Sequence, residues 1–438
     1  MTNKLLIGLA TAVVALAAAL FGGVLARPSA APVDALAASK SVEDFKAGFG
    51  LNASTSSLVA GLQAALASNA QDEHSWMLLG LAYQQRARET GDPSFYTQSD
   101  GALHRALALD SKDSLAWSGL GSLALSRHRF AEALQLGRRA HALSPTTARN
   151  YGVIGDAEIE LGRYGAAFHD FDTMNRLQPS LSSYARVSYG RELIGRTAGA
   201  VRAMKLAVDA ATDATEPTAW THVQLGKLYF GHGRLGAAVR EFRLADATFP
   251  DYAYALDALA VAVAAQGRVR QAAAIERRAV ALIPLPQYVA TLGDLYAAEG
   301  RHVLARREYA LIGAIERLLR ANGVRVDLEI ALFDVDHGIR LRHALELARI
   351  GQSERPSIDG DDVLAWALAR NGSCREAVAY SNRALRLGTQ DALKFFHRGM
   401  IERCLGHDTA ASAWFRRALA LNPHFSILWS PVAARYAA

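Results

Sequence analysis

The chain has 438 residues, 51% hydrophobic and 21% charged, with too little Gly and Pro for a disordered or collagen-like polymer. It is too long for one small core, yet no shift in composition divides it into unlike domains. The net charge is +6, but 41 of the 48 basic residues are Arg and no run of five Lys/Arg occurs. The excess therefore reads as a solvated Arg-rich face, which argues against a nucleic-acid-binding arm.

The first element is apolar. Lys4 precedes an uncharged stretch from Leu5 to Ala26, about 33 Å as a helix and so enough to cross a bilayer core. A cleaved signal usually carries an apolar region of only about 7–15 residues, so residues 1–26 read as an uncleaved signal anchor. Small-x-small sites at Val24–Ala26 and Ala35–Ala37 keep a cleaved signal peptide open as the alternative. Residues 27–50, rich in Ala, Pro and Ser, read as a flexible tether. Either way the body of the chain is expected in the cell envelope: held at the membrane with its repeats extracytoplasmic, or periplasmic or secreted after cleavage.

From residue 51 the chain repeats. Residues 54–68 pattern as a lone helix that caps an array running to residue 424. A small residue in the middle of the first helix of each helix pair recurs at Gly80, Gly121, Gly155, Ser188, Gly226, Ala260, Gly293, Ala331, Ala365 and Gly399, mostly 33 or 34 residues apart. Around it other positions recur in phase: Trp76, Leu79, Gly80 and Tyr83; Leu225, Gly226, Tyr229, Gly233, Ala238, Phe242, Ala245 and Pro250; Gly399, Gly406, Ala411, Phe415, Ala418 and Pro423. In period and pattern the chain resembles the tetratricopeptide-repeat (TPR) proteins, in particular membrane-anchored or exported bacterial ones, over about residues 54–424. The resemblance implies an all-α superhelical solenoid of about ten helix-turn-helix repeats, each burying its apolar face against the next. The small residue lets helices A and B of a repeat approach, and the aromatic of helix B is expected to fill the gap to the next repeat. Residues 425–438 are too short for another repeat, and Phe425, Ile427, Leu428 and Trp429 are expected to fold back as a cap.

Three intervals are longer. Seven extra residues fall near Arg86–Ser99, two helical turns, and predict a protruding hairpin with its tip at Gly91–Asp92–Pro93. Four extra residues fall near Ala210–Thr218, a loop. Four more fall at Ile315–Val326, a lengthened helix ending at Asn322–Gly323. Such breaks predict bends between repeats 1–4, 5–7 and 8–10.

No HExxH, GxSxG, P-loop or strand-bound GxGxxG occurs, so no catalytic residue, cofactor or metal is assigned and the chain reads as a non-enzyme. Asp334, Asp336 and His337 have metal-ligand side chains but sit where polar residues meet a turn. The run Asp359, Asp361, Asp362 suits a helix N-terminus. The Arg pairs 138–139, 277–278 and 416–417 fall on the outer face of B helices.

In a TPR stack the A–B turns line one edge. That places Cys374 and Cys404 as neighbours, and an exported chain with two cysteines can join them; two separate buried thiols are the alternative. The resemblance also implies a concave groove lined by A helices. By position it assigns Asn150, Asp156, Tyr189, Glu192, Trp220, Lys227, Phe230, Tyr254, Asp257 and Trp366 to that groove, with Asp294 and Leu328 further along. Aromatics flanked by charges suit recognition of a protein or peptide partner. The expectation is an extracytoplasmic scaffold, or alternatively an accessory or assembly subunit of a membrane-associated complex.

Overall fold

The computed structural model describes residues 54–211 and 215–437. The expected signal anchor at 1–26 and tether at 27–50 lie outside them. The described residues form 22 helices and no strand. A first helix, α1 (Thr55–Ser68), precedes ten antiparallel pairs. The first five are α2 (Glu73–Thr90) with α3 (Ser94–Leu109), α4 (Ser114–Ser126) with α5 (Phe130–Leu143), α6 (Ala148–Glu160) with α7 (Tyr164–Leu177), α8 (Leu181–Leu193) with α9 (Thr197–Asp209), and α10 (Glu216–Gly231) with α11 (Leu235–Thr248). The second five are α12 (Ala253–Ala265) with α13 (Val269–Leu282), α14 (Pro286–Ala298) with α15 (His302–Ala321), α16 (Asp327–His337) with α17 (Leu341–Glu354), α18 (Ile358–Arg370) with α19 (Cys374–Ala384), and α20 (Ala392–Cys404) with α21 (Asp408–Leu421). A last short helix, α22 (Ser430–Ala437), closes the array.

Five of the ten A helices start where a side chain satisfies free N–H groups. Asp72, Asp113, Ser180, Ser357 and Asp391 each accept a hydrogen bond from the first turn they precede. In repeats three, five, seven and ten the central glycine takes the aromatic of its own helix B. A Cβ on Gly226 would lie 2.4 Å from the Phe242 ring, and one on Gly293 2.2 Å from Tyr309. The aromatic therefore closes its own repeat, where the sequence reading had it bridging to the next. Phe425 and Trp429 pack on Phe396 at 5.7 and 5.3 Å between ring centroids.

Cys374 and Cys404 form a disulfide, with Cα atoms 6.0 Å apart and 30 residues between them in sequence. It ties repeat nine to repeat ten. Reduction should lower the stability of the terminal repeats by about 3–4 kcal/mol from loop entropy, measured as a fall in Tm with dithiothreitol.

Thr55–Ala438 is one compact unit, and the reason is a seam between successive superhelical turns. The A–B turns of repeats one to five sit, in order, on the junctions that follow repeats six to ten. Gly91 meets Ile283. His128 Nδ1 lies 2.7 Å from the Arg325 carbonyl, and Arg129 Nε donates to the Gly323 carbonyl at 3.2 Å. The Tyr164 hydroxyl accepts from Ile358 N–H at 2.7 Å. Thr389 Oγ1 donates to the Leu193 carbonyl. Asn422 Nδ2 donates to the Phe230 carbonyl at 2.9 Å. These hydrogen-bonded partners are separated by 192 to 197 residues, roughly five and a half repeats of the TPR period.

The irregular intervals lie at this closure. The extra residues of repeat one lengthen α2 to 18 residues against 13 in α4. The turn at Gly91 does not protrude, because it is packed against Ile283. Gln85 and Arg88, in the added turn of α2, reach Glu216 at the start of α10, at 3.0 and 3.7 Å. In repeat seven α15 runs 20 residues against 14 in α13, and the segment after it carries the Gly323 and Arg325 carbonyls. Part of the interval near Ala210–Thr218 lies outside the described residues.

Candidate inner-face binding site

Eight of the ten assigned residues lie partly open to solvent on A helices, and two do not. Asn150 is wholly buried: its Nδ2 donates to Ser144 O at 3.1 Å and Ser114 Oγ at 3.3 Å. It falls one residue past the groove register, about 100° around the helix, and so points between helices. Trp366 is 1% exposed. Its indole N–H donates to Asp336 at 2.8 Å and its ring stacks on His397 at 4.8 Å, with Trp429 of the C-terminal segment packed at 5.7 Å. The closing segment occupies the space that a groove would leave there. Further along, Asp294 accepts from Tyr309 Oη and faces His337 Nε2, both at 2.8 Å, and Leu328 is buried.

The remaining residues divide in two. Asp156 is held by Arg186, with 2.7 Å between Oδ2 and Nη2. Tyr189 is half-buried beside the buried Tyr164–Phe171 cluster. Burial, and then the carboxylates Asp359 and Glu160, raise its hydroxyl well above the usual range. Glu192, Lys227 and Asp257 form a charged row on three successive A helices. Burial raises Glu192 to about 7, Asp391 across the seam adds to the rise, and Lys394 and Lys227 oppose it. Burial also raises Asp257, against the pull of Lys227. Lys227 is exposed. Beside this row Trp220, Phe230 and Tyr254 pack half-buried on one core cluster. Tyr254 stands edge-on to Tyr288 at 6.0 Å.

The closure adds residues that no repeat pattern assigns. Lys394 Nζ bonds Asp359 at 2.7 Å and Asp391 at 2.8 Å, and these carboxylates approach Glu192 across the seam. Lys394 holds Asp359 below the usual carboxylate range. Burial works to raise Asp391, but Lys394 and two backbone N–H groups outweigh it and hold it low. Arg355 pairs with Glu160, and with Glu329 at 3.1 Å.

The acidic run of α18 is spent on ion pairs between helices, and the cap is Ser357. Asp361 takes Arg383 and Arg386, both at 2.7 Å, and Asp362 faces His397 at 2.9 Å. Asp334, Asp336 and His337 diverge: Asp334 to Arg340, Asp336 to the indoles of Trp366 and Trp429, His337 to Asp294.

No family model matches the sequence, and no curated protein does. Among solved structures the chain is similar to YrrB, described as a TPR protein with an unusual peptide-binding site, at 18% identity over 48% of this chain and 98% of that one, TM-score 0.29. It is similar to the human IFIT1 dimer with PPP-AAAA at 13% identity over 89% and 92% of the two chains, TM-score 0.48. It is also similar to the APC/C hetero-tetramer Cut9–Hcn1 at 13% identity over 93% and 98%, TM-score 0.38. The helices themselves carry the assignment: ten antiparallel pairs at the expected period, four of them with a central glycine under the aromatic of their own helix B, Gly155 under Phe171, Gly226 under Phe242, Gly293 under Tyr309 and Gly399 under Phe415. By fold the chain is a helical-repeat solenoid of the tetratricopeptide type.

Proposed function

We propose that the protein is a non-enzymatic scaffold that binds an extended segment of a partner protein along its inner face. The observation that carries this reading is the row Glu192, Lys227 and Asp257 beside Trp220, Phe230 and Tyr254. It combines charges of both signs with large, half-buried rings on rigid helices, the chemistry that suits side-chain pockets along a peptide. Asp359, Asp391 and Lys394 of repeats nine and ten crowd the Glu192 end of this row, so the partner is better matched by a single extended strand than by a folded domain. An extracytoplasmic site of action is part of the proposal. The Cys374–Cys404 disulfide supports it, since such bonds persist in oxidising compartments.

The full-length protein should recover a defined partner from solubilised membranes. Trp220→Ala with Tyr254→Ala should weaken recovery about tenfold or more, the scale of losing anchor side chains, and Lys227→Glu should weaken it further. Recovery unchanged by all three substitutions overturns the inner face as the site.

A further inference from the structure

We propose that the open edge of repeats eight and nine holds a binding site for a phosphoryl oxyanion, formed by Arg342, His343 and Arg370. A surface cavity of about 640 Å³ lies there, between the A–B turn of repeat eight and the end of α18. Its wall carries four basic side chains, Arg340, Arg342, His343 and Arg370, and no carboxylate. Arg340 is committed to Asp334 at 2.9 Å. Among the described residues neither Arg342 nor Arg370 forms an ion pair with a carboxylate, and Arg342 is exposed.

Arg370 is placed for this role by its surroundings. Its guanidinium is half-buried against two indoles, 5.2 Å from the Trp366 ring and 5.6 Å from Trp429. One face of the guanidinium system is thereby fixed by cation–π contact while its N–H edge keeps its donors. Its Nη2 lies beside Gly338, where a Cβ would approach to 3.3 Å. Burial pushes Arg370 below its ordinary value, and the nearby Asp336 offsets this only in part. A desolvated cation without a paired anion is costly. An oxyanion supplies the missing partner and accepts two parallel N–H bonds from such a fork.

The backbone points the same way. Helix α17 begins at Leu341 with no side-chain cap, so the first-turn N–H groups are open. His343 Nδ1 faces Glu346 at 3.6 Å, and Arg342 beside it stands in that turn, where a cation opposes the helix dipole. A bound anion reverses the sign of that interaction. Asn371 Nδ2 is already bonded to the Leu341 carbonyl at 2.9 Å, which locks the two walls together. The same phosphoryl chemistry comes from free phosphate or a phosphorylated small molecule, or from a phospholipid headgroup.

The test uses the full-length protein and inorganic phosphate, followed by calorimetry, with vesicles of phosphatidylglycerol in phosphatidylcholine as a second arm. Wild type should bind phosphate saturably at one site. Arg342→Gln, an exposed change that leaves the fold intact, should weaken binding about tenfold or more, as expected for loss of a charge-assisted donor. Arg370→Gln should do the same, and Arg277→Gln on α13 should bind as wild type does. If Arg342→Gln also lowers retention on the acidic vesicles, and phosphate competes, the source is the headgroup. If phosphate binds and vesicle retention is equal for both proteins, the source is a free phosphate. Absence of saturable phosphate binding, or equal phosphate binding by wild type and Arg342→Gln, overturns the proposal.

Discussion

Gly195→Ala should destabilise the protein by about 2–4 kcal/mol, whereas Gly372→Ala should cost about 1 kcal/mol. Both glycines end an A helix in the left-handed region, at φ +71° and +83°. That conformation alone costs an L residue roughly 1–2 kcal/mol. The difference lies outside the backbone conformation. A Cβ at Gly195 would meet the carbonyl oxygen of Gly388 at 2.5 Å, while one at Gly372 meets nothing within 4 Å. A carbonyl held in a junction cannot turn aside as a flexible side chain can, so the seam must part, at a cost of roughly 1–3 kcal/mol for overpacking. Gly162→Ala should behave like Gly195→Ala, since its Cβ would meet Pro356 O at 2.6 Å. Urea titrations read the stabilities, and small-angle scattering should show the seam variants expanded. Equal losses at Gly195 and Gly372 would show that the seam does not close in solution.

The second large effect concerns a proton. Glu276 on α13 is 0% exposed, neither of its carboxyl oxygens has a hydrogen-bond partner among the described residues, and the charge of Asp257 acts on it from nearby. Burial, and then the charge of Asp257, raise it far above the ordinary 4.5. At neutral pH Glu276 is therefore a neutral acid near Asp257. The folded protein keeps a proton that the unfolded chain has released above about pH 4.5, so stability falls as pH rises from there towards the folded value. Glu192, raised to about 7, contributes with the same sign up to that pH. So do His337 and His397, both raised by neighbouring carboxylates against the opposing effect of burial. Their stability is present below about 6.5 and is lost as pH rises through their folded values. Asp359 and Asp391 act oppositely, and only at the acid end, where stability falls as pH drops through their lowered values. Maximum stability should therefore lie on the mildly acid side of neutrality. Glu276→Gln, which cannot ionise, should raise stability at pH 8 by about 3 kcal/mol and leave it within about 1 kcal/mol at pH 5. Urea midpoints for both proteins at pH 5, 7 and 9 test this, and a loss of stability in Glu276→Gln at pH 8 contradicts the proton assignment.

The repeats were legible because local contacts recur with the period. Gly226 needs Phe242, and Gly293 needs Tyr309, only 16 residues away, and Gly155 with Phe171 and Gly399 with Phe415 state the same rule. The disulfide was legible for a related reason, since Cys374 and Cys404 occupy adjacent repeats on one edge. The seam was not legible. Thr389 and Leu193, or Arg355 and Glu160, are joined by the pitch of the superhelix, and pitch is the sum of small rotations that no single motif records. The same gap explains the site residues. Lys227 and Asp257 follow from register within one A helix. Lys394, Asp359 and Asp391 reach the neighbourhood of Glu192 only after a full turn. Asn150 was misplaced by one position of register, and Trp366 because the C-terminal segment covers it.

In most solenoids each unit touches only its neighbours, so units unfold piecemeal and can be added or lost without harm. Here the winding fixes a count. Removing one repeat between Gly195 and Gly388 would set every upstream turn against the wrong junction, with Gly195 facing the junction after repeat ten in place of the Gly388 carbonyl. The chain is thereby locked to its length, and its two halves melt together as one cooperative body. The long wait before residues nearly 200 apart can meet also makes it a slow folder for an all-helical protein.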